Sequence, residues 1–583
     1  MIELLKYLKN YIRQIIVIFF LTVIQVTVNL ELPGYIARIV DQGILGGSEI
    51  DVIISTGLFM LGLSLVGAVC IVMAGYQAAR VATGFATAIR EKVFAKAQGF
   101  SLAEFNRFST SSLITRSTND IQQIQTIVYM MLRIMLVAPL TAAGAIFQAY
   151  RTAPSMTWIM GAAVFVMIGM VLFIWSVVMP KFKLLQILVD RLNLVTRENL
   201  TGLKVIRAFN AEKYEEGKFD RANADLTALN LFLNRLMAIM QPFMTLVSSF
   251  TMIAVVWYGA SLIGEGGLLI GDMIAFMQYS MQVLFGFMMM SMIFIMLPRA
   301  SVSGARVAEV LETEPSIKEP ARSAPFITGA PAVEFRGVTF AYPGAEYPVL
   351  ENISFSVPAG KTTAFIGSTG SGKSTLIHLI TRFYDVNYGH VFVKGVDVRD
   401  LRFADLYSCL GYVPQKGVLF SGTVKSNIKY GAPKAHDREM RRAAEVAQAA
   451  EFIGRIGGKY GGSISQGGSN VSGGQKQRLS IARALAKKPD IFLFDDSFSA
   501  LDFRTDAVLR KALKAETEKS AVLVVAQRIG TVINADQIIV LDKGRIVGTG
   551  KHGELWKTCS VYKEIALSQL SEKELGGRSS ISS

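Results

Sequence analysis

The sequence predicts a six-helix transmembrane domain fused to a soluble α/β domain, and three observations carry that prediction. Six apolar segments, at about 14–36, 53–76, 127–149, 155–179, 234–260 and 268–297, each reach the roughly 20 residues that a helix needs to cross a hydrocarbon core of about 30 Å. Beyond Ala321 the composition changes to short strands, glycine turns and charged helices. Within that second part an apolar strand, Thr363 to Ile366, runs directly into a glycine-rich loop and a helical pattern from Leu376 to Phe383. The balance of the whole chain agrees. Of its 583 residues 51% are hydrophobic and 18% charged, with a mean hydropathy of +0.39, too apolar for disorder and unusual for a soluble protein. The expected organisation is an interfacial helix at 1–13, a membrane domain at 14–300, a linker at 301–330 and a soluble domain at 331–583.

The first element places Lys6 and Lys9 between Leu and Ile positions, the pattern of an amphipathic helix lying along a membrane surface. The apolar stretch that follows is too long for a cleavable leader, and no small-residue cleavage site comes after it. Orientation follows from charge. The outer connections hold Arg38 and Arg151 beside Glu31, Asp41, Glu49, Asp51 and Glu265, whereas Arg80, Arg90, Lys92, Lys96, Lys181, Lys183, Arg191, Lys204 and Arg207 fall in the inner ones. The positive-inside rule puts both termini and the soluble domain in the cytoplasm of a multi-pass protein of the cytoplasmic membrane. The same basic loops account for the formal charge of +15 without a nucleic-acid partner. Cys70, Cys409 and Cys559 lie far apart with no metal spacing, so they read as unpaired thiols in a reducing compartment. The four histidines form no metal constellation, and His378 reads as an ordinary helix residue.

Two inner connections, about 77–126 and 180–233, lack the glycine, proline and serine of flexible loops. Ala78 to Phe100 and Phe182 to Phe209 read as helices that extend the spans beyond the lipid; 20 further residues add about 30 Å of reach. The breaks at Ser101 to Ser112 and around Asn210 to Glu216 are then the far tips, facing the soluble domain.

The loop itself is Gly367, Ser368, Thr369, Gly370, Ser371, Gly372, Lys373, Ser374 and Thr375. Its glycines let backbone N–H groups converge on phosphate at a positive helix start, Lys373 can reach the outer phosphates, and the Ser374 hydroxyl can ligate Mg2+. Downstream, Ile491 to Asp495 is an apolar strand ending in a carboxylate suited to holding that magnesium, and the adjacent Asp496 can polarise an attacking water. Val471 leads into Ser472, Gly473, Gly474 and Gln475, a serine-glycine loop entering a helix that can present N–H groups and a hydroxyl to an anion.

With these motifs in this order, the chain resembles one half of an ATP-binding cassette (ABC) exporter over nearly its whole length. Gln415 is similar to the family's Q-loop glutamine, Tyr342 in Ala341-Tyr-Pro to the aromatic that stacks on adenine, Ser472 to Gln475 to the signature, and Ser499-Ala-Leu-Asp502 to the D-loop. The resemblance implies a nucleotide-binding domain that binds ATP and Mg2+, with Ser374, Gln415 and Asp495 as metal contacts. It also implies two such domains closing head to tail, each ATP lying between one phosphate loop and the other domain's signature. The tips near 101–112 and 205–216 then match its coupling elements, one of which enters the partner's nucleotide-binding domain.

Departures from the family carry the finer reading. Asp496 stands where a glutamate is usual, Gln527 where a switch histidine is usual, and Gln466 where a Gly-Glu-Arg-Gly run has its acid. Aspartate is one methylene shorter, and an amide has no imidazole protonation chemistry. The chain's own site is therefore expected to bind ATP and hydrolyse it slowly, while its intact signature serves a competent site on a different half-transporter, as in heterodimeric bacterial multidrug exporters. The last span, with Met281, Phe285, Phe287, Met288, Met289, Met290, Met292, Phe294 and Met296, offers polarizable surface for amphiphilic, drug-like compounds, although such residues also face lipid. Lipids and hydrophobic peptides come next as substrates, and a homodimer or an uptake transporter on the same fold stays open. Interior-facing charge is scarce in the spans, against a dedicated ion pathway.

Overall fold

A computed structural model describes residues 2–47 and 50–570. The chain divides into two compact units, one of residues 1–98 and 110–313, the other of residues 99–109 and 314–583.

The first unit begins with α1 (Ile2–Leu5) and a 3-10 turn over Lys6–Tyr11, and continues through α2 (Ile12–Arg38) and α3 (Ile50–Gln98). The chain leaves this unit for α4 (Leu102–Phe108) and returns through α5 (Thr110–Thr115), α6 (Ile121–Thr152), α7 (Thr157–Ala208), α8 (Glu212–Gly264) and α9 (Ile270–Glu312). Among the described residues, six helical stretches are long and apolar enough to cross a membrane. Their inner extensions are continuous helix: α7 runs for 52 residues and α8 for 53, each about 80 Å at 1.5 Å per residue.

Small residues set how closely the spans approach, as expected where lipid gives helices little hydrophobic reason to associate. A Cβ on Gly144 of α6 would come within 2.3 Å of Leu30 Cδ1 on α2, and one on Gly286 of α9 within 3.2 Å of the Ala138 carbonyl oxygen on α6. Polar contacts fix the register: Tyr279 donates to Leu30 O at 3.1 Å, Gln282 Nε2 to Asn29 O at 3.2 Å, and Gln125 Nε2 to Thr83 Oγ1 at 3.4 Å.

Two boundaries differ from the sequence reading. Helix α9 continues to Glu312, through the first part of the stretch 301–330 read as linker, because Ala300, Ser303, Val307 and Val310 repeat at helical spacing and are buried. The polar turn read at 210–216 is confined to 209–211. Asn210 takes the left-handed conformation there, at φ 51°, while Glu212 and Glu215 join the first turn of α8, where the helix dipole favours acids.

The second unit is the α/β domain. Strands β1 (Val333–Phe340), β2 (Leu350–Val357), β4 (Tyr388–Val393) and β5 (Val396–Asp397) form an antiparallel sheet in the order β2-β1-β4-β5. A six-stranded sheet has the order β12-β11-β3-β10-β9-β6, from β3 (Thr362–Gly367), β6 (Leu410–Val413), β9 (Ile491–Asp495), β10 (Ala521–Val525), β11 (Gln537–Asp542) and β12 (Arg545–Gly550). It is parallel except for the edge strand β12. All five residues of β9 and all five of β10 are buried, the continuous apolar run of a parallel sheet covered on both faces. A short pair, β7 (Gly422–Thr423) and β8 (Ser463–Ile464), completes the strands. The helices that matter here are α10 (Lys373–Ile380), α11 (Phe403–Cys409), α12 (Val424–Ile428), α13 (Asp437–Val446), α14 (Ala450–Arg455), α15 (Gly473–Lys487) and α16 (Phe503–Glu516).

Residues 99–109 belong to this unit, and the contacts are specific. Ser101 and Glu104 close a capping box at the start of α4. Asn106 Nδ2 donates to the Tyr384 hydroxyl at 3.2 Å, and the Ser316 N–H to Glu104 Oε1 at 3.2 Å. Burial pulls the Glu104 carboxyl upward, but hydrogen bonds from Ser101 and Ser316 outweigh it and hold the group below its ordinary range.

Arg382 ties the segment entering this domain to the sheet. Its side chain is 3% exposed, with Nε donating to Asp385 Oδ1 at 2.9 Å and Nη2 to Lys318 O at 3.1 Å. Arg382→Met should destabilise the domain by about 2 kcal/mol, the scale of hydrogen bonds to a charged group, since the Asp385 left behind is partly exposed. Thermal unfolding of the detergent-solubilised chain would measure it, and an unchanged midpoint would remove Arg382 from the supports of the fold.

Candidate nucleotide site

Three neighbouring parallel strands build the site at their carboxyl ends, where open α/β sheets place ligands. β3 opens into residues 368–372, β9 ends in Asp495 and Asp496, and β10, paired between them, leads to Gln527. Val525 is in register with both Phe365 and Asp495.

The phosphate loop needs its glycines. Gly370 and Gly372 sit at φ 82° and 93°, a region L side chains rarely adopt. A Cβ on Gly367 would lie 2.1 Å from Leu541 O. The Lys373 ammonium turns back on the loop, donating to Gly367 O at 2.9 Å and Ser368 O at 2.7 Å. Burial lowers its pKa, against the opposing pull of Asp496 and Asp495. Tyr342 and Thr375 share a hydrogen bond between their hydroxyls at 3.0 Å, and the Tyr342 ring meets those of Phe340 and Tyr384 edge to face.

The acidic end is compact. Ser374 Oγ donates to Asp495 Oδ1 at 2.6 Å, so two of the residues assigned to magnesium already lie side by side. A hydroxyl and a carboxylate are hard oxygen donors of the kind Mg2+ takes alongside phosphate, and the pair fits that ion. Gln415, the third, instead directs Nε2 to Asp496 Oδ2 at 3.3 Å. Gln527 Nε2 donates to that same oxygen at 3.1 Å. Two of the three family departures, Asp496 and Gln527, thus meet the Q-loop glutamine at one oxygen. The Asp496 backbone is left-handed at φ 43°, and its N–H donates to Val525 O at 3.0 Å. Burial raises the pKa of Asp495 and of Asp496; for Asp496 the neighbouring Asp495 adds to this, while Ser499, Gln415 and Lys373 oppose it.

The signature residues form a helix start. Ser472 caps α15: the Gln475 N–H donates to Ser472 Oγ at 3.3 Å and the Ser472 N–H to Gln475 Oε1 at 2.9 Å, with Gly473 and Gly474 between them in the first turn. Among the described residues no hydrogen bond joins residues 472–475 to residues 367–375. Gln466 is exposed on a 3-10 turn. Asp502 caps α16, accepting from the Thr505 N–H at 2.9 Å. His378, on α10, is half-buried, and desolvation lowers its pKa. The sequence reading missed Ser497, fully buried with Oγ donating to Val413 O at 2.9 Å. It also missed Tyr384, which touches both Tyr342 and Asn106; a tyrosine after a charged helix end gives no local signal of either contact.

Lys373→Ala should weaken binding of a fluorescent ATP analogue by about tenfold or more, the scale of charge-assisted hydrogen bonds, and full retention of affinity would sink the phosphate-loop role. A second expectation concerns pH. Because the folded-state pKa of Asp496 is raised, the native state is penalised as pH rises from about 4, where the unfolded carboxyl ionises first. Asp496→Asn should therefore raise the unfolding midpoint at neutral pH, with the gain vanishing toward pH of about 4. A gain equal at both pH values would contradict the burial argument.

Comparison with known proteins agrees with this geometry. The ABC transporter transmembrane region family matches residues 15–288, and the ABC transporter family matches residues 350–499. An uncharacterized ABC transporter ATP-binding protein of Mycobacterium tuberculosis is 39% identical over 98% of each chain. YfiB of Bacillus subtilis, also an uncharacterized ABC transporter ATP-binding protein, is 35% identical over 97% of this chain and 98% of its own. The solved structure of a bacterial Atm1-family ABC exporter with ATP bound shares the fold at a TM-score of 0.78 and 24% identity, covering 96% of this chain and 98% of that one. The chain belongs to the ABC transporter family: it is a half-transporter of the exporter fold, an ATPase coupled to transport across a membrane.

Proposed function

We propose that this chain is the weakly hydrolysing half of a heterodimeric exporter of amphiphilic compounds in the cytoplasmic membrane. ABC exporters work as dimers, and one observation favours an unequal pair: Asp496 Oδ2 accepts from two amides, Gln415 and Gln527. Neither amide can take up or release a proton near neutrality. The carboxylate best placed to polarise a water is thereby held on a short side chain. ATP binds through residues 367–375 and Tyr342, and Ser374 and Asp495 hold the magnesium, which when bound neutralises charge on the outer phosphates. At this chain's own site hydrolysis is slow.

The signature has the opposite character. Ser472, Gly473, Gly474 and Gln475 keep the helix start that an outer phosphate needs, and among the described residues they make no hydrogen bond to the phosphate loop. They serve a second ATP, held by the partner's phosphate loop. In a homodimer both sites would carry Asp496 and Gln527, which makes a different partner the better reading. Amphiphiles fit the last span, where Met281 and Phe285 are exposed; the side chains of Met292 and Phe294 lie outside the described residues.

Asp496→Glu combined with Gln527→His should raise ATP turnover of the assembled transporter, with gains at this site on the scale of about 10²–10⁴-fold that general acid–base groups supply. An unchanged rate with both sites occupied would overturn the weak-site reading. Ser472→Ala should depress turnover even though this chain's phosphate loop is intact, and normal coupled turnover would contradict the head-to-tail arrangement. Intact mass of the complex extracted from its native membrane settles its composition: two copies of this chain would replace the heterodimer with a homodimer.

A further inference from the structure

The first unit holds polar atoms that its own packing leaves without partners. The six predicted spans contain only four charged residues: Glu31 and Asp272 toward the outer ends, Arg133 and Arg235 in the inner halves. Glu31 accepts from Gln148 Nε2 at 3.1 Å. Arg133 is different. It lies six residues into the span 127–149, about 9 Å from its inner end, and its Nη1 is buried with no hydrogen-bond partner among the described residues. An arginine whose head is drawn out to the membrane interface exposes those nitrogens to water, so outward stretching does not account for this one.

Other buried polar atoms without partners among the described residues lie at nearby levels of α2 and α3. The contact between Gln125 Nε2 and Thr83 Oγ1 pins α6 against α3. From that level Gln77 is six residues toward the outer side on α3 and Arg133 eight residues on α6, about 9 and about 12 Å. Gln77 Oε1 is likewise buried and unpartnered. On α2, Thr22 is 0% and Gln25 6% exposed, and Thr22 Oγ1 and Gln25 Oε1 also lack partners. Leu30 of α2 meets Gly144 of α6, which sets Thr22 and Gln25 about 5 to 9 Å farther out than Arg133. The inner halves of the spans contain no acidic residue. A guanidinium with an open donor and no carboxylate at its level suits an anion and opposes a cation.

We propose that Arg133, with Gln77 at its level and Thr22 and Gln25 beyond, receives the anionic head of the transported amphiphile: a phosphate, carboxylate or sulfonate on an apolar chain. Its apolar chain lies among the apolar side chains of the spans. The inference rests on the export reading above and narrows its substrate class.

Equilibrium dialysis tests it with radiolabelled dodecyl phosphate and the assembled transporter in nanodiscs of zwitterionic lipid, blank nanodiscs subtracted. The expected result is saturable binding that weakens by about tenfold or more in Arg133→Gln and recovers in part in Arg133→Lys. Gln77→Leu should weaken it by about threefold, as for one neutral hydrogen bond, and keeps the test open if Arg133→Gln does not fold; retained binding of a fluorescent ATP analogue identifies the folded variants. Wild-type affinity in the folded variants, or displacement by dodecyltrimethylammonium as effective as by unlabelled dodecyl phosphate, would overturn the proposal. Adding phosphatidylglycerol to the discs distinguishes the sources of the head: competition assigns it to a membrane lipid, and its absence to a single-chain amphiphile. Arg133-dependent binding in a complex without ATP turnover would count against ATP-driven export and not against this site.

Discussion

Everything at the nucleotide site depends on the register of three parallel strands. Because Val525 is level with both Phe365 and Asp495, the phosphate loop, Asp495 with Asp496, and Gln527 leave the sheet at one height, a few ångströms apart across strands about 4.8 Å from each other. A slip of one residue in β10 would turn Gln527 to the other face and part it from Asp496. The all-buried β9 and β10 resist such a slip. The apolar core of this domain is thus also what aims its polar groups.

That arrangement is costly. Lys373, Asp495 and Asp496 are all nearly buried, at 7%, 4% and 7% exposure, and each is pushed by desolvation toward its neutral form. Asp496 also holds a left-handed backbone, at φ 43°, a region that aspartate tolerates better than most residues. Desolvation collected at one point, and held by the surrounding sheet, marks a site kept for chemistry rather than for stability.

How far the sequence could be read follows from how local each signal is. The six spans are legible because a bilayer demands an uninterrupted apolar run. The phosphate loop is legible because its glycines, lysine and serine are contiguous. The continuation of α9 to Glu312 was written in the spacing of Ala300, Ser303, Val307 and Val310, but it is masked by serine and glycine among them. The meeting of Gln415 and Gln527 on one oxygen of Asp496 has no local trace, since it joins three strands far apart in sequence. Arg133 shows the same limit. A lone arginine in an apolar span is visible at once, yet only packing reveals that its Nη1, like Gln77 Oε1 on α3, finds no partner among the described residues.

The capping of α15 has one more consequence. In that arrangement Ser472 Oγ takes a hydrogen from the Gln475 N–H and gives none in return. Its own proton stays uncommitted. On the proposed head-to-tail reading, a phosphate oxygen would accept that proton while the lone pair continues to hold the helix start, so docking of a second nucleotide would require no rearrangement of the loop that receives it. Cap and proposed clasp would then use opposite ends of the same hydroxyl, with the surface offered to a partner set before two halves meet.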